Sequence, residues 1–157
     1  MTGILLVDKE QDWTSSDVVA KLRGVLGEKR IGHAGTLDPM ATGLLVVMIG
    51  RATKASDYLM KHDKRYIAHI RLGVETDTQD ITGHVLRETP CLASMADLQK
   101  TAESFTGNIL QIPPMYSAIK IRGKKLYEIA RRGGDVEREP RPITIHRLEL
   151  SEPDENG

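Results

Sequence analysis

The chain has 157 residues, of which 22 are Lys or Arg and 22 are Asp or Glu, so its formal net charge is zero. That length allows one domain with a real hydrophobic core, and the balanced total charge does not predict a polyanionic partner. The single cysteine, Cys91, excludes a disulfide framework or a cysteine-based zinc site within one chain. The apolar run at 4–7 is too short for a signal peptide or a membrane span, which predicts a cytoplasmic protein that does not bind membranes.

The first half of the sequence predicts two strands and two helices. In chain order these are a buried strand at 4–7, a helix that ends near Leu26, a strand at 44–49 and a short helix at 51–60. Thr14 and Asp17 have the spacing of a capping box, in which each side chain bonds the other residue's amide at the start of a helix. Gly27 is typical of the residue that ends one. Residues 44–49 are apolar at every position, which favours a central strand covered on both faces.

The second half predicts shorter elements. In chain order they are strands at 66–72 and 83–86 paired as a hairpin, a helix capped by Ser94 and Asp97 that ends near Gly107, strands at 109–111 and 116–121, a helix at 126–132 closed by Gly133 and Gly134, and a strand at 143–150. The whole pattern predicts an α+β fold with a mixed, largely antiparallel sheet flanked by helices. Residues 152–157 are typical of a hairpin turn without its return strand, which predicts that the chain is a fragment, with a frayed natural terminus as the alternative.

One carboxylate, Asp38, lies on a glycine-bounded loop that leads into the second predicted strand. Gly32, Gly35 and Gly43 permit backbone shapes and close approaches that a side chain would block. Pro39 fixes its own φ and pushes Asp38 toward an extended conformation. The pattern is typical of a loop that holds one acid in one orientation, although Asp-Pro and glycine clusters also occur in ordinary turns.

Positive charge is concentrated between residues 115 and 134, where six basic side chains accompany a single acid, Glu128. Because screening confines each charge to about 10 Å, a local basic stripe can bind phosphate even when the total charge is zero. A solvated face is the alternative interpretation. The candidates for phosphate contacts are Lys120, Lys124, Lys125, Arg131 and Arg132; the sixth basic residue is Arg122.

The Asp38 loop, at 32–45, resembles the signature motif of the TruB family of pseudouridine synthases. Four other parts of the chain resemble that family in the same order. They are the opening segment at 3–19, the segment at 64–68 that carries the family's active-site tyrosine, the hairpin at 73–83, and the RNA-facing insertion at about 109–142. The similarity runs from residue 3 to about residue 150, so it does not depend on any one motif.

The resemblance implies an enzyme that isomerises the T-loop uridine of transfer RNA to pseudouridine. The N1–C1′ glycosidic bond breaks, and the ribose rejoins the base through C5. The resemblance makes Asp38 the essential carboxylate, which attacks C1′ or removes a C2′ proton. It places Tyr66 against the target uracil, where it also helps the late proton removal at C5, and His33 against the RNA where the base has left its stack. No metal, organic cofactor or obligatory protein partner is implied, and we expect a monomer.

The chemistry of these residue types is consistent with those roles. A uridine inside a folded RNA must be flipped out, at a cost of a few kcal/mol, and an aromatic face recovers about 1–3 kcal/mol. Outside the motif, Tyr66 reads as a half-buried strand tyrosine and His33 as a loop histidine bonded to a backbone carbonyl. Asp77 and Asp80 fit no calcium loop and favour a polar hairpin turn.

The chain departs from the family pattern at four positions. Glu10 and Asp12 stand where the opening segment usually has proline and glycine, which puts the local turn in doubt. Ala34 stands where the family usually has threonine, and Ile129 replaces a common aromatic residue.

The family's small C-terminal RNA-binding domain, and the later motif that supplies an arginine beside the carboxylate, have no counterpart in these 157 residues. We therefore expect residues 1–157 to form a partial catalytic domain that cannot run the full reaction alone. One alternative is an impaired module of the same fold that binds RNA without catalysis. A guide-RNA-dependent relative is disfavoured by the bacterial-type insertion. A two-carboxylate glycosidase is disfavoured because no second acid accompanies Asp38 in a comparable loop.

Overall fold

A computed structural model describes residues 1–117, 119–121 and 123–152 of the chain. The chain divides into two compact units, Met1–Ile67 and Ala68–Gly157. Among the described residues, every strand pairing is antiparallel, which together with the helices confirms the α+β class. The strands in the described part of the chain form four small sheets rather than one mixed sheet. No helix among the described residues is long and apolar enough to cross a membrane.

The first unit is a three-stranded sheet with one helix packed on it. Its elements are β1 (Gly3–Lys9), α1 (Ser15–Leu26), β2 (Ile31–His33), β3 (Gly43–Ile49), a 3₁₀ helix (Gly50–Ala55) and α2 (Ser56–Met60). β3 lies between β1 and β2, so the predicted central strand is confirmed. β1 and β3 pair along their whole length, from Gly3 opposite Ile49 to Lys9 opposite Gly43.

The core of this unit lies between α1 and one face of the sheet. Val18 and Val19 of α1 join a buried cluster with Leu45 and Val47 of β3, which are 1% and 0% exposed. Burying a side chain of this size contributes about 1.5–3 kcal/mol. Leu37, from the loop after β2, packs against the same cluster and anchors that loop in the core.

The other face of the sheet is only partly covered in the described part of the chain, where Met48 of β3 is 2% exposed but its neighbours on that face are not buried. Ile4 and Leu6 of β1 share that face and are 53% and 64% exposed, and Leu44 of β3 is 63% exposed. The prediction of a strand at 4–7 is confirmed, but its burial is wrong. In the strand at 44–49, Leu45 and the last three residues are buried, whereas Leu44 is exposed and Val46 is half-buried. An apolar run shows which surface needs cover, but it does not show that any element covers it.

Local sequence signals place both ends of α1 as predicted. The Thr14 hydroxyl accepts a hydrogen bond from the Asp17 amide at 3.0 Å, and the Asp17 carboxylate accepts one from the Thr14 amide at 2.9 Å. Bonds from the Thr14 hydroxyl and amide also hold the pKa of Asp17 below its ordinary value, so the box is intact at neutral pH. Gly27 follows the helix in the left-handed conformation, with φ 60°.

The turn between β1 and α1 contains a strained residue. Asp12 has φ 66°, a left-handed conformation that costs a residue with a Cβ about 1–2 kcal/mol. We expect the free energy of unfolding of Asp12→Ala to lie about 1 kcal/mol below that of Asp12→Gly, because glycine adopts this conformation freely. Urea denaturation of the two variants measures the difference, and equal stabilities would contradict the strain.

The described residues of the second unit form three two-stranded sheets and two helices. Its elements are β4 (Val74–Thr76), β5 (Val85–Glu88), α3 (Met95–Ser104), β6 (Gly107–Gln111), β7 (Lys120–Ile121), β8 (Lys124–Lys125), α4 (Leu126–Ala130) and β9 (Arg141–Ile145). The sheets pair β4 with β5, β6 with β9, and β7 with β8. The capping box of Ser94 and Asp97 at the start of α3 is confirmed by bonds of 2.9 and 3.2 Å between side chain and amide.

The strand predicted at 66–72 is absent, since 63–71 form neither helix nor strand. The alternation of that segment is real, but a strand also needs a partner. The predicted partner begins later, at Val85, and pairs with Val74–Thr76 instead. Ile67 and Ile70 are accordingly 87% and 71% exposed.

Two other predicted strands are shorter in the structure. Only Lys120–Ile121 of the strand predicted at 116–121 pairs with another strand, and the described residues before them contain no strand back to Gln111. The strand predicted at 143–150 is Arg141–Ile145, because its ladder with β6 ends at Ile145 opposite Gly107. The hairpin turn predicted at 152–157 lies outside the described residues except for Glu152.

Candidate active site

The Asp38 loop connects β2 to β3 and is shaped by two glycines. Gly35 has φ 102° and Gly43 has φ 113°, a region of backbone conformation that favours glycine. A Cβ at either position would meet nothing within 4 Å, so the backbone angle and not the space requires glycine there. Gly32 lies outside that region and a Cβ there would make only ordinary contacts within the described chain, so no backbone angle requires glycine at this position.

Asp38 begins a tight turn at the tip of this loop. The Ala41 amide donates to the Asp38 carbonyl at 3.0 Å, and Pro39 occupies the second position of the turn, where its fixed φ is favourable. The Asp38 side chain is exposed. Among the residues that the structure describes, its carboxylate accepts no hydrogen bond and forms no ion pair. The turn therefore presents an acceptor group that a ligand can reach.

Ser15, the first residue of α1, holds the backbone immediately before Asp38. Its side chain is 2% exposed. Its hydroxyl accepts a hydrogen bond from the Leu37 amide at 2.9 Å and donates one to the Leu37 carbonyl at 3.1 Å. Both polar groups of Leu37 are thus satisfied by one buried hydroxyl.

Lys9, the last residue of β1, holds the backbone immediately after Asp38. The lysine is 1% exposed, and its Nζ donates to the carbonyls of Glu10, Trp13 and Pro39 at 2.9, 2.7 and 3.3 Å. The Asp12 amide also donates to the Pro39 carbonyl, at 2.8 Å. The turn that the departures at Glu10 and Asp12 put in doubt is therefore formed, and it contacts the Asp38 turn.

His33 lies at the end of β2, at the start of the same loop, and is half-buried. Its Nδ1 lies 2.6 Å from the Gly35 carbonyl. Because a carbonyl only accepts, Nδ1 carries the proton, and Nε2 is left to bind another group. A bond to a backbone carbonyl is a structural role that loop histidines often have. It uses only Nδ1, so the second ring nitrogen can still bind a ligand.

Tyr66 lies in the irregular segment that follows α2 and is 69% exposed. Within the described residues, no hydrogen bond or ring contact joins it to Asp38 or His33. The structure thus brings Asp38 and His33 onto one loop and does not join Tyr66 to them. Its ring is open to stacking by a planar ligand.

The basic residues of the second unit form a partial cluster around Tyr127. The Lys125 Nζ donates to the Tyr127 hydroxyl at 3.2 Å, which raises the pKa of Lys125 above its ordinary value. The Arg131 Cζ lies 5.4 Å from the Tyr127 ring centroid. Lys120 is directly opposite Lys125 across the β7–β8 pair, an arrangement of like charges that a bound anion would stabilise. Lys124 and Arg132 are exposed, and Arg122 lies outside the described residues.

Sequence reasoning missed the roles of Lys9 and Ser15. Lys9 ends β1 and Ser15 begins α1, and polar residues at the ends of such elements are usually exposed. The signal that could have identified them is that each falls in the opening segment that resembles the family. The bonds themselves join residues 22 and 30 positions apart, so no local pattern encodes them.

The structure defines an α+β protein that presents one carboxylate on a loop held from both sides. A chain in the crystal structure of a Cbf5-Nop10-Gar1 complex has the same fold. It superposes on 98% of this chain and 36% of its own length, with a TM-score of 0.62 and 22% sequence identity.

The sequence comparison identifies the family. Residues 23–156 match the model of the TruB family pseudouridylate synthase N-terminal domain, and the chain belongs to that family. The tRNA pseudouridine synthase B of Alkaliphilus oremlandii is 49% identical over 97% of this chain, and that of Opitutus terrae 53% identical over 96%. The tRNA pseudouridine synthase B of Salmonella typhimurium is 50% identical over 93% of it. The chain spans 51%, 63% and 46% of these relatives.

Proposed function

We propose that this chain is the part of a tRNA pseudouridine synthase that carries the reacting carboxylate, and that the enzyme isomerises the T-loop uridine of tRNA in the cytoplasm. The observation that supports this most strongly is the Asp38 turn, which is exposed at its tip and held on both sides by buried polar groups. Relatives about 50% identical to the chain are named tRNA pseudouridine synthase B.

In the proposed reaction Asp38 attacks C1′ or removes the C2′ proton of an extruded uridine. The bond from N1 to C1′ breaks, a bond from C5 to C1′ forms, C5 loses its proton, and N1 gains one. A carboxylate that accepts hydrogen bonds from its own protein would have to break them before it could react with the substrate. The Asp38 carboxylate has no such partners among the described residues, which supports its role as base or nucleophile.

Tyr66 and His33 are proposed to bind the RNA around the flipped nucleotide. The exposed ring of Tyr66 offers a stacking surface, worth about 1–3 kcal/mol per base. His33 offers the Nε2 of a ring whose Nδ1 lies 2.6 Å from the Gly35 carbonyl. We propose that the enzyme works as a monomer without a metal, an organic cofactor or an obligatory protein partner.

Tritium release from a T-loop RNA that carries [5-³H]uridine tests the function, because C5 must lose its hydrogen when it bonds to C1′. Two proteins are compared: this chain, and a fusion in which it replaces the 146 residues that it matches in the Salmonella typhimurium relative. We expect stoichiometric tritium release by the fusion and RNA binding without robust turnover by the chain alone. RNA binding without release by either protein would instead support the non-catalytic module.

The five basic residues proposed as phosphate contacts, at 120–132, lead to a separate prediction about RNA affinity. We expect Lys120→Gln combined with Lys124→Gln to weaken RNA binding and to reduce the slope of log K against log salt by about 1.5, since each phosphate contact contributes about 0.7–0.9. Lys54→Gln combined with Lys100→Gln removes the same charge from exposed sites outside the cluster, and should leave the slope unchanged. Filter binding at several salt concentrations measures both pairs, and equal slopes would refute the assignment.

A further inference from the structure

We infer that Ser15 is a positioning residue for Asp38, an inference that rests on the proposed function because it takes Asp38 as the reacting group. The Ser15 hydroxyl bonds both the amide and the carbonyl of Leu37, the residue directly before Asp38. Ser15 does not reach the carboxylate in these contacts, so its effect on the reaction passes through the backbone.

The contacts around the turn leave it little freedom. The Leu37 side chain is anchored in the core, its backbone is bonded on both sides by Ser15, and the Pro39 carbonyl is bonded by Lys9 and by the Asp12 amide. Asp38 is thus the exposed residue between two residues whose backbones are fixed. A reacting group displaced by about 1 Å can lose about 100-fold in rate. The two Ser15–Leu37 hydrogen bonds, which hold the backbone before Asp38, should therefore affect the rate of turnover.

Ser15 is suited to this task because it belongs to a rigid element. As the first residue of α1, it is fixed by the backbone of the helix. Thr14 stabilises the same helix turn but makes no contact with Leu37 in the described hydrogen bonds. The two neighbours therefore separate a positioning role from a helix-stabilising one.

Amide hydrogen exchange in this chain tests whether Ser15 holds the turn, and it needs no measurement of enzyme activity. In Ser15→Ala we expect faster exchange at the Leu37 amide, which loses its acceptor, and at the Ala41 amide, whose acceptor is the Asp38 carbonyl. The Ala34 amide, bonded to the Val46 carbonyl, should keep its rate. Unchanged exchange at Leu37 and Ala41 would overturn the inference.

Kinetics of the fusion protein tests the consequence for the reaction. We expect Ser15→Ala to lower kcat about 100-fold with KM for the RNA nearly unchanged. Thr14→Ala, which loses a helix cap instead, should leave kcat nearly unchanged. Equal losses of kcat in the two variants would overturn the inference, because they would show an effect of helix stability.

A matched pair controls for the buried space at residue 15. Ser15→Thr and Ser15→Val add side chains of the same shape, and only threonine keeps the hydroxyl. We expect Ser15→Thr to retain at least about tenfold more kcat than Ser15→Val, and equal values would count against the inference. If the parent fusion releases no tritium, the proposed function fails, and the exchange comparison alone decides whether Ser15 braces the turn.

Discussion

Asp38→Asn is expected to lower tritium release by the fusion protein about 10³-fold or more, within the range that loss of a positioned base or nucleophile produces. Asparagine has the same shape but cannot act as base or nucleophile. The Asp38 carboxylate has no hydrogen bond or ion pair to lose among the described residues, so the free energy of unfolding should change by less than about 0.5 kcal/mol. RNA affinity should be nearly unchanged.

The appropriate control is Asp8→Asn, which removes the same charge from an exposed position on β1 in the same unit. It should keep full turnover. Three measurements on each variant separate the explanations: tritium release, RNA binding by filter retention, and urea denaturation. A parallel loss of turnover and RNA affinity in Asp38→Asn would refute the role of Asp38 in the chemical step and indicate a binding residue.

The elements that the sequence predicts well are those whose signals are local. α1 begins at the capping box and ends at Gly27, as predicted. Both bonds of the box join residues that are only three positions apart, so the sequence alone reveals them. The strand at 44–49 is identified because an uninterrupted apolar run of this length is typical of a central strand. The α+β class follows from the order of these elements.

The elements that it predicts poorly are those that depend on a partner. The alternating segment at 66–72 has the pattern of a strand, yet the strand it should pair with bonds β4 instead. The apolar strand β1 is correctly located, but the cover over Ile4 and Leu6 is not provided by any described residue. Periodicity reports the chemistry of one segment and contains no information on which other segment meets it.

The candidate site divides in the same way. Glycine and proline spacing around Asp38 predicts a shaped turn, and the positive φ angles at Gly35 and Gly43 confirm it. The buried groups that hold this turn come from the opening segment, and only the folded chain brings them together. Tyr66 and His33 are assigned by family resemblance, and their roles stay predictions.

Lys9→Met is expected to lower the free energy of unfolding of the chain by about 3 kcal/mol. The ammonium group has three donors, and three backbone carbonyls surround it, those of Glu10, Trp13 and Pro39. Methionine fills a similar volume but donates no hydrogen bond, and a hydrogen bond to a charged group contributes about 1.5–3 kcal/mol. The Pro39 carbonyl keeps the Asp12 amide as a donor, so the loss falls mainly on the carbonyls of Glu10 and Trp13. Part of that cost is regained because the methionine no longer requires a charge to be buried.

Lys21→Met provides the matched control, because Lys21 is an exposed lysine on α1. Its free energy of unfolding should stay within about 0.5 kcal/mol of the parent chain. Lys9→Met should also speed amide exchange at Asp12, whose acceptor is the Pro39 carbonyl that Lys9 shares. If urea denaturation gave the two variants the same stability, the three carbonyl bonds would contribute nothing, and the buried lysine could not be what fixes the backbone after Asp38.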